Sequence, residues 1–177
     1  MKNLLLLDRN NIQLTQKAAP VLDFKNPELQ AFIDDLIQCG DDNDGVGIAA
    51  PQVGNSWRLF IMAPRPNPRY PDAPLMEATA IINPEILSAS SETEKGWEGC
   101  LSVPGFRGLV PRSIAIEVTF LDRTGLRQNR KLTGFLARLF QHEFDHLEGI
   151  LYPDRMDKKD ALVSLEEYTA ITGIVVK

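Results

Sequence analysis

The stretch FQHEFDHLEG, residues 140–149, contains both histidines of this 177-residue chain. His142 and His146 are four positions apart, just over one helical turn, so on a helix they project from one face. The flanking pattern reads as a helix from near Thr133 to Leu147, stopped at Gly149, with Phe135, Leu136, Leu139, Phe140 and Leu147 as its apolar contacts. His142, Glu143 and His146 interrupt that apolar surface. On a centrally packed helix they need partners, because a buried polar group without one is costly. A metal ion held by both imidazoles would satisfy them. Chance places His-Glu-x-x-His in about one such chain in a thousand. Glu143 sits ~100° around the helix from His142, where it can reach a metal-activated water and act as general base.

Upstream, FKNPELQAFIDDLIQCG reads as a second helix, with Asn26 as N-cap, Pro27 in the first turn and Gly40 as the stop. Its apolar stripe is Leu29, Phe32, Ile33, Leu36 and Ile37, and Cys39 continues that face as a small buried hydrophobe. DDNDGVGIAAPQVG and WRLFIM then read as loop, short extended segment and strand. APRPNPRYPDAP, with five prolines, cannot be regular helix or central strand and is expected as an exposed excursion joining two strands. AIINPEILSAS and IAIEVTFLDRTGLRQNRKL are β-rich, the latter with a turn at Thr124–Gly125. From about Asp157, DKKDALVSLEEYTAIT is expected as a third helix capped by Asp157. Strands without regular βαβ alternation indicate an α+β fold: antiparallel sheets around the His-Glu-x-x-His helix, plus N-terminal and C-terminal helices. The length suits a single catalytic domain over 1–177, with 157–177 as a helical tail.

Composition narrows the function. Hydrophobic residues make up 44% of the chain and charged residues 24%, and the net charge is −5 with Lys and Arg scattered. That balance argues against a protein built to grip nucleic acid. No apolar run approaches the ~18 residues that span a bilayer. The opening MKNLLLLDRN turns charged after LLLL, unlike a signal peptide, so the expected location is cytoplasmic. In that reducing compartment Cys39 and Cys100 are not expected to pair.

A catalytic metal usually has three protein ligands and one open position. A thermolysin-like enzyme would use a downstream acid, here Asp154, Glu166 or Glu167, and a metzincin a third histidine, which this chain lacks. Upstream, WEGCLSVPGF offers Cys100 behind Gly99. A thiolate suits iron(II) or zinc, and the glycine permits close backbone approach. On composition alone the ligand reading of Cys100 stands level with its two alternatives together, a buried thiol or a Cys–His nucleophile.

GVGIAAPQ (Gly45 to Gln52), EGCLS (Glu98 to Ser102) and QHEFDHLEG (Gln141 to Gly149) are similar, in order and spacing, to the three signature motifs of the peptide deformylases. The likeness includes GFRGLVPR after the second motif and extends from Asn26 to about Met156, with Ile48 where the family pattern most often has Leu. The conjunction is far more specific than any one motif. The resemblance implies removal of the formyl group from the N-terminal formylmethionine of nascent peptides, with release of formate. It implies Cys100, His142 and His146 as ligands of one divalent metal ion, iron(II) in the cell, with zinc, nickel or cobalt in preparations. Glu143 becomes the base, and the Gln52 amide and the Leu101 N–H become donors to the oxygen of the tetrahedral intermediate. Val46, Gly47 and Gly99 would run beside the substrate, and Arg107 would contact it. Phe135 and Leu139 would wall the methionine pocket, with a plain core role as the lesser alternative. Arg112 is open between substrate contact and ion pair, and Asp145 is a candidate partner for a ligand or an arginine. Transient proximity to the ribosome follows from where such a substrate emerges. Two further readings remain: a zincin-type metallopeptidase and a non-catalytic module that binds N-termini.

Overall fold

The computed structural model describes residues 3–175, so the outermost residues of the expected domain and tail lie outside the described part. The fold is α+β with antiparallel sheets and three α-helices. Helix α1 (Pro27–Asp42) begins as its sequence demands: the Asn26 side chain accepts from the Glu28 N–H and Pro27 occupies the first turn. It runs past Gly40, which was expected to end it. Gly40 instead packs on Ile48, where a Cβ would lie 3.2 Å from Cγ2, and its carbonyl accepts the closing bonds from Asn43 and Gly45.

A five-stranded sheet has the order β1-β2-β3-β6-β7, formed by β1 (Gly47–Ala49), β2 (Leu59–Met62), β3 (Thr79–Ala89), β6 (Ala115–Leu121) and β7 (Arg127–Thr133). Neighbours pair antiparallel, for instance Gly47↔Met62 and Phe60↔Ile81. All four residues of β2 are buried because the sheet is covered on both faces. Leu59 and Ile61 meet Leu29, Ile33 and Leu36 of α1, whereas Phe60 and Met62 meet Phe140 and Leu139 of α2 (Gly134–Leu147). β7, rich in Arg, Lys and Gln, forms a polar outer edge.

The second sheet pairs β4 (Thr93–Cys100) with β5 (Val103–Ser113), and β5 with the two-residue β8 (Val163–Ser164). Sequence periodicity did not mark β4 and β5, because Gly96, Gly99, Gly105, Gly108, Pro104 and Pro111 mask them. Three of those glycines make room for side chains: Gly96 for Arg138, Gly99 for Arg107 and Gly108 for Met156. Helix α2 packs against strands of both sheets, which explains its eight buried positions.

Two further expectations are corrected. The C-terminal helix α3 is Leu165–Thr172, starting well after Asp157. Asp157 and Asp160 instead hold Lys95 of β4, while Ser164 and Glu167 form a reciprocal capping box at the true start. The proline-rich excursion does join β2 to β3, yet it is not a free loop. Arg65 pairs with Asp41 at 2.9 Å, Ala73 is buried, and the Tyr70 hydroxyl donates to Gly99 O at 3.2 Å. Cys39 is buried and unpaired, as its place on the α1 stripe predicts.

Candidate active site

Helix α2 turns His142, Glu143 and His146 inward, and the tight β4–β5 turn at Leu101–Ser102 brings Cys100 opposite them. The potential ligand atoms of Cys100, His142 and His146 all lie within 4.8 Å of one another, and all three residues are buried. Among the described residues this is the one such cluster. None of the downstream acids joins it: Asp154 accepts from Leu151 N, Glu167 caps α3, and Glu166 is exposed. His142 Nδ1 lies 2.8 Å from Glu98 Oε2, which leaves its other nitrogen for the cluster, while His146 Nε2 lies 3.3 Å from Cys100 Sγ. A thiolate and two imidazoles at this spacing fit one divalent ion of the zinc or iron(II) type.

The electrostatics of the cysteine agree with that donor set. Burial alone would raise the Cys100 thiol, but the imidazoles, His146 foremost, hold it well below its usual value. Burial would lower His142, but Cys100 and Glu98 carry it well above the usual imidazole range. Glu98 shows burial opposed by His142 and Arg112, which hold the carboxyl at about 2. For Glu143 burial wins, opposed by the two imidazoles, and lifts it to about 7. Its Oε2 is buried without a hydrogen-bond partner among the described residues.

Gln52 lies in a short 3₁₀ helix (Ala50–Val53) directly after β1 and is 2% exposed, not a surface turn residue. Its Oε1 accepts from Ala49 N at 2.8 Å, which aims Nε2 at Cys100 Sγ and Ser102 Oγ, both at 3.3 Å. Val46, Gly47, Gly99, Leu101, Phe135 and Leu139 join Gln52 and Glu143 around one cavity of about 210 Å³. Tyr70 of the excursion closes it by an edge contact with Phe135. Arg107 is not on this wall. It lies against Gly99 and Tyr168 and borders an adjoining hollow that shares Cys100 and Leu101.

Arg112 resolves as an ion pair: Nε and Nη2 grip Glu98 while Nη1 grips Asp145, which Arg155 also holds. Asp145 is therefore a partner of two arginines. The residues that sequence reading passed over are Glu98 as the His142 partner, Ser102, Tyr70 and Arg138. Glu98 left a signal, since a metal-bound histidine ordinarily hands its second nitrogen to a carboxylate.

A His-Glu-x-x-His helix facing a cysteine, with a buried carboxylate in a cavity at a sheet edge, is the equipment of a mononuclear metal hydrolase. The polypeptide deformylase family model matches residues 1–161. Peptide deformylase 2 of Nostoc sp. is 55% identical over 163 residues, covering 92% of this chain and 91% of its own. A Met-Ala-Ser-bound class I type b peptide deformylase from Acinetobacter baumannii superposes with a TM-score of 0.84 at 46% identity, covering 86% of this chain and 98% of its own. A Thermotoga maritima peptide deformylase superposes with a TM-score of 0.79 at 38% identity, covering 89% and 99%. This chain belongs to the polypeptide deformylase family.

Proposed function

We propose that this chain removes the N-formyl group from the N-terminal formylmethionine of newly made polypeptides, releasing formate. One observation carries the reading: Cys100, His142 and His146 converge on the same cavity as Glu143, Gln52 and Leu101. Cys100, His142 and His146 would hold one divalent ion, iron(II) in the cell and zinc, nickel or cobalt in preparations. When bound, it supplies Lewis acidity that makes water a nucleophile near neutral pH. Glu143 takes the proton of the attacking water and passes it to the departing amine. Gln52 Nε2 and the Leu101 N–H donate to the oxygen that gains charge as the formyl carbon becomes tetrahedral.

The substrate's course follows from the sheet. β1 is an outer strand, so Val46 and Gly47 can pair with an extended peptide as an added strand. Gly99 leaves room for that backbone, Phe135 and Leu139 wall the methionine side chain, and Arg107 meets the residues beyond it. The Acinetobacter baumannii relative is solved with Met-Ala-Ser, which is formyl-Met-Ala-Ser without its formyl group. Residues 1–177 act as one catalytic domain with 157–177 as its tail, in the cytoplasm and transiently near the ribosome. No helix among the described residues is long and apolar enough to cross a membrane.

The test is formate release from formyl-Met-Ala-Ser by metal-loaded protein, abolished by a chelator. Glu143→Ala keeps fold and metal content and loses turnover by about two to four orders of magnitude. Wild-type-like turnover in that variant removes Glu143 as the base, and metal-loaded wild-type protein that releases no formate removes the activity itself.

A further inference from the structure

Position 138 lies one helical turn before His142 on α2, so the two side chains share a face. Both reach the same buried carboxylate. Glu98 Oε1 accepts from Arg112 Nε and Arg138 Nη1, each at 2.9 Å, while Oε2 accepts from Arg112 Nη2 at 3.0 Å and His142 Nδ1 at 2.8 Å. A carboxylate offers about four lone-pair sites, and here all are used. Arg112 ties the carboxylate to Asp145 of α2 as well, through its third nitrogen. Arg138 ties it to the backbone of the small sheet. The Arg138 guanidinium donates to Val110 O at 2.8 Å and Glu94 O at 2.6 Å, and β4 carries glycine at position 96, where a Cβ would lie 2.7 Å from its Cζ.

We propose that Arg138 is a positioning residue for deformylation: clamping Glu98 to β4 and β5 fixes the carboxylate that meets His142 Nδ1, and so keeps the imidazole's other nitrogen on the Cys100–His146 cluster. The inference rests on the reading of those three residues as ligands. Arg138 also lines the substrate cavity, so one guanidinium borders both the methionine pocket and the partner of a ligand.

A mere strap between α2 and the small sheet would affect stability alone; a positioning role also changes how tightly metal is held. The experiment loads the full chain with zinc and follows its release to a colorimetric chelator, alongside kcat, KM and the melting temperature. In Arg138→Leu, zinc release accelerates and kcat falls, each by about 10–100-fold, with KM moving less than kcat. Arg138→Lys, which keeps one charged bond to Glu98, falls between Leu and wild type. Gly96→Ala displaces the guanidinium with the arginine retained and reproduces the accelerated release, which keeps the test open should Arg138→Leu fail to fold. In a Glu98→Gln background, Arg138→Leu adds less than about twofold, because neighbours acting as one unit are not additive. Release within about twofold of wild type in Arg138→Leu and Gly96→Ala, or fully multiplicative effects in the double variant, overturns the proposal. Wild-type protein that takes up no zinc would refute the ligand reading instead.

Discussion

Gly47→Ala isolates the seat of the proposed base. Gly47 has no positive φ, so alanine suits its backbone and the effect is purely steric. An added Cβ would lie 2.8 Å from Glu143 Cδ and 2.9 Å from Leu139 Cδ1. Carbon atoms settle at ~3.5–4.0 Å, so a neighbour must retreat by roughly 0.6–1.2 Å. β1 is held by its register with β2, and Leu139 is packed in the core. Glu143 has a carboxylate oxygen without a hydrogen-bond partner among the described residues, so it is the group that yields. Displacement of a catalytic group by about 1 Å can cost ~100-fold in rate, or ~2.7 kcal/mol of barrier. Stability changes less: overpacking costs about 1–3 kcal/mol, partly offset by the ~0.4–1 kcal/mol gained when glycine leaves the unfolded chain. The assay is formate release, with metal content and melting temperature measured on the same preparation. kcat should fall ~100-fold with metal unchanged and the midpoint lowered by less than about 10 °C. Turnover within about threefold of wild type, at full metal content, would refute the reasoning that the glycine holds open the place of Glu143.

Two further substitutions test the frame. Arg112→Leu takes one arginine from each of Glu98 and Asp145, whose side chains are 4% and 6% exposed. It leaves Arg138 and His142 on the first and Arg155 on the second; removing one partner of a buried pair costs about 3–5 kcal/mol. The melting midpoint should drop by about 6–20 °C, and a drop under about 3 °C would show that the network does not hold α2 to the hairpin. Asn83 sits at φ 49° and clamps Val21 through both side-chain atoms, at 2.9 and 2.8 Å. Asn83→Ala should cost about 2–4 kcal/mol in chemical denaturation. Asn83→Gly restores the backbone freedom without the bonds and falls between; an alanine variant as stable as wild type removes the clamp from the account.

Local chemistry made the helices and most strands legible. Asn26, Pro27 and the stripe Leu29–Ile33–Leu36 place α1 because caps and i, i+3, i+4 spacing act within a turn or two. The alternation of LFIM was hidden, since burial on both faces erases the period-two signal. β4 and β5 were missed for a related reason. Their glycines interrupt any strand pattern, yet Gly96, Gly99 and Gly108 each receive a side chain from elsewhere in the chain. Asp157 looked like a helix cap because it precedes a helical pattern, but its carboxylate is occupied by Lys95, far away in sequence.

The sequence by itself determined the pair His142 and His146, the glutamate between them and, through three motifs in order, the family. Helical spacing is a local property, so two ligands four residues apart are already aligned before the chain folds. The motifs implied Cys100 as the third member, and the tertiary structure brings it, and none of the downstream acids, within 4.8 Å of both histidines. It also settled Arg112 as an ion pair and showed Arg138 and His142 sharing Glu98. Those contacts join β4 and β5 to α2 across stretches whose sequence spacing carries no geometric information, and packing of the helix against both sheets is what creates them.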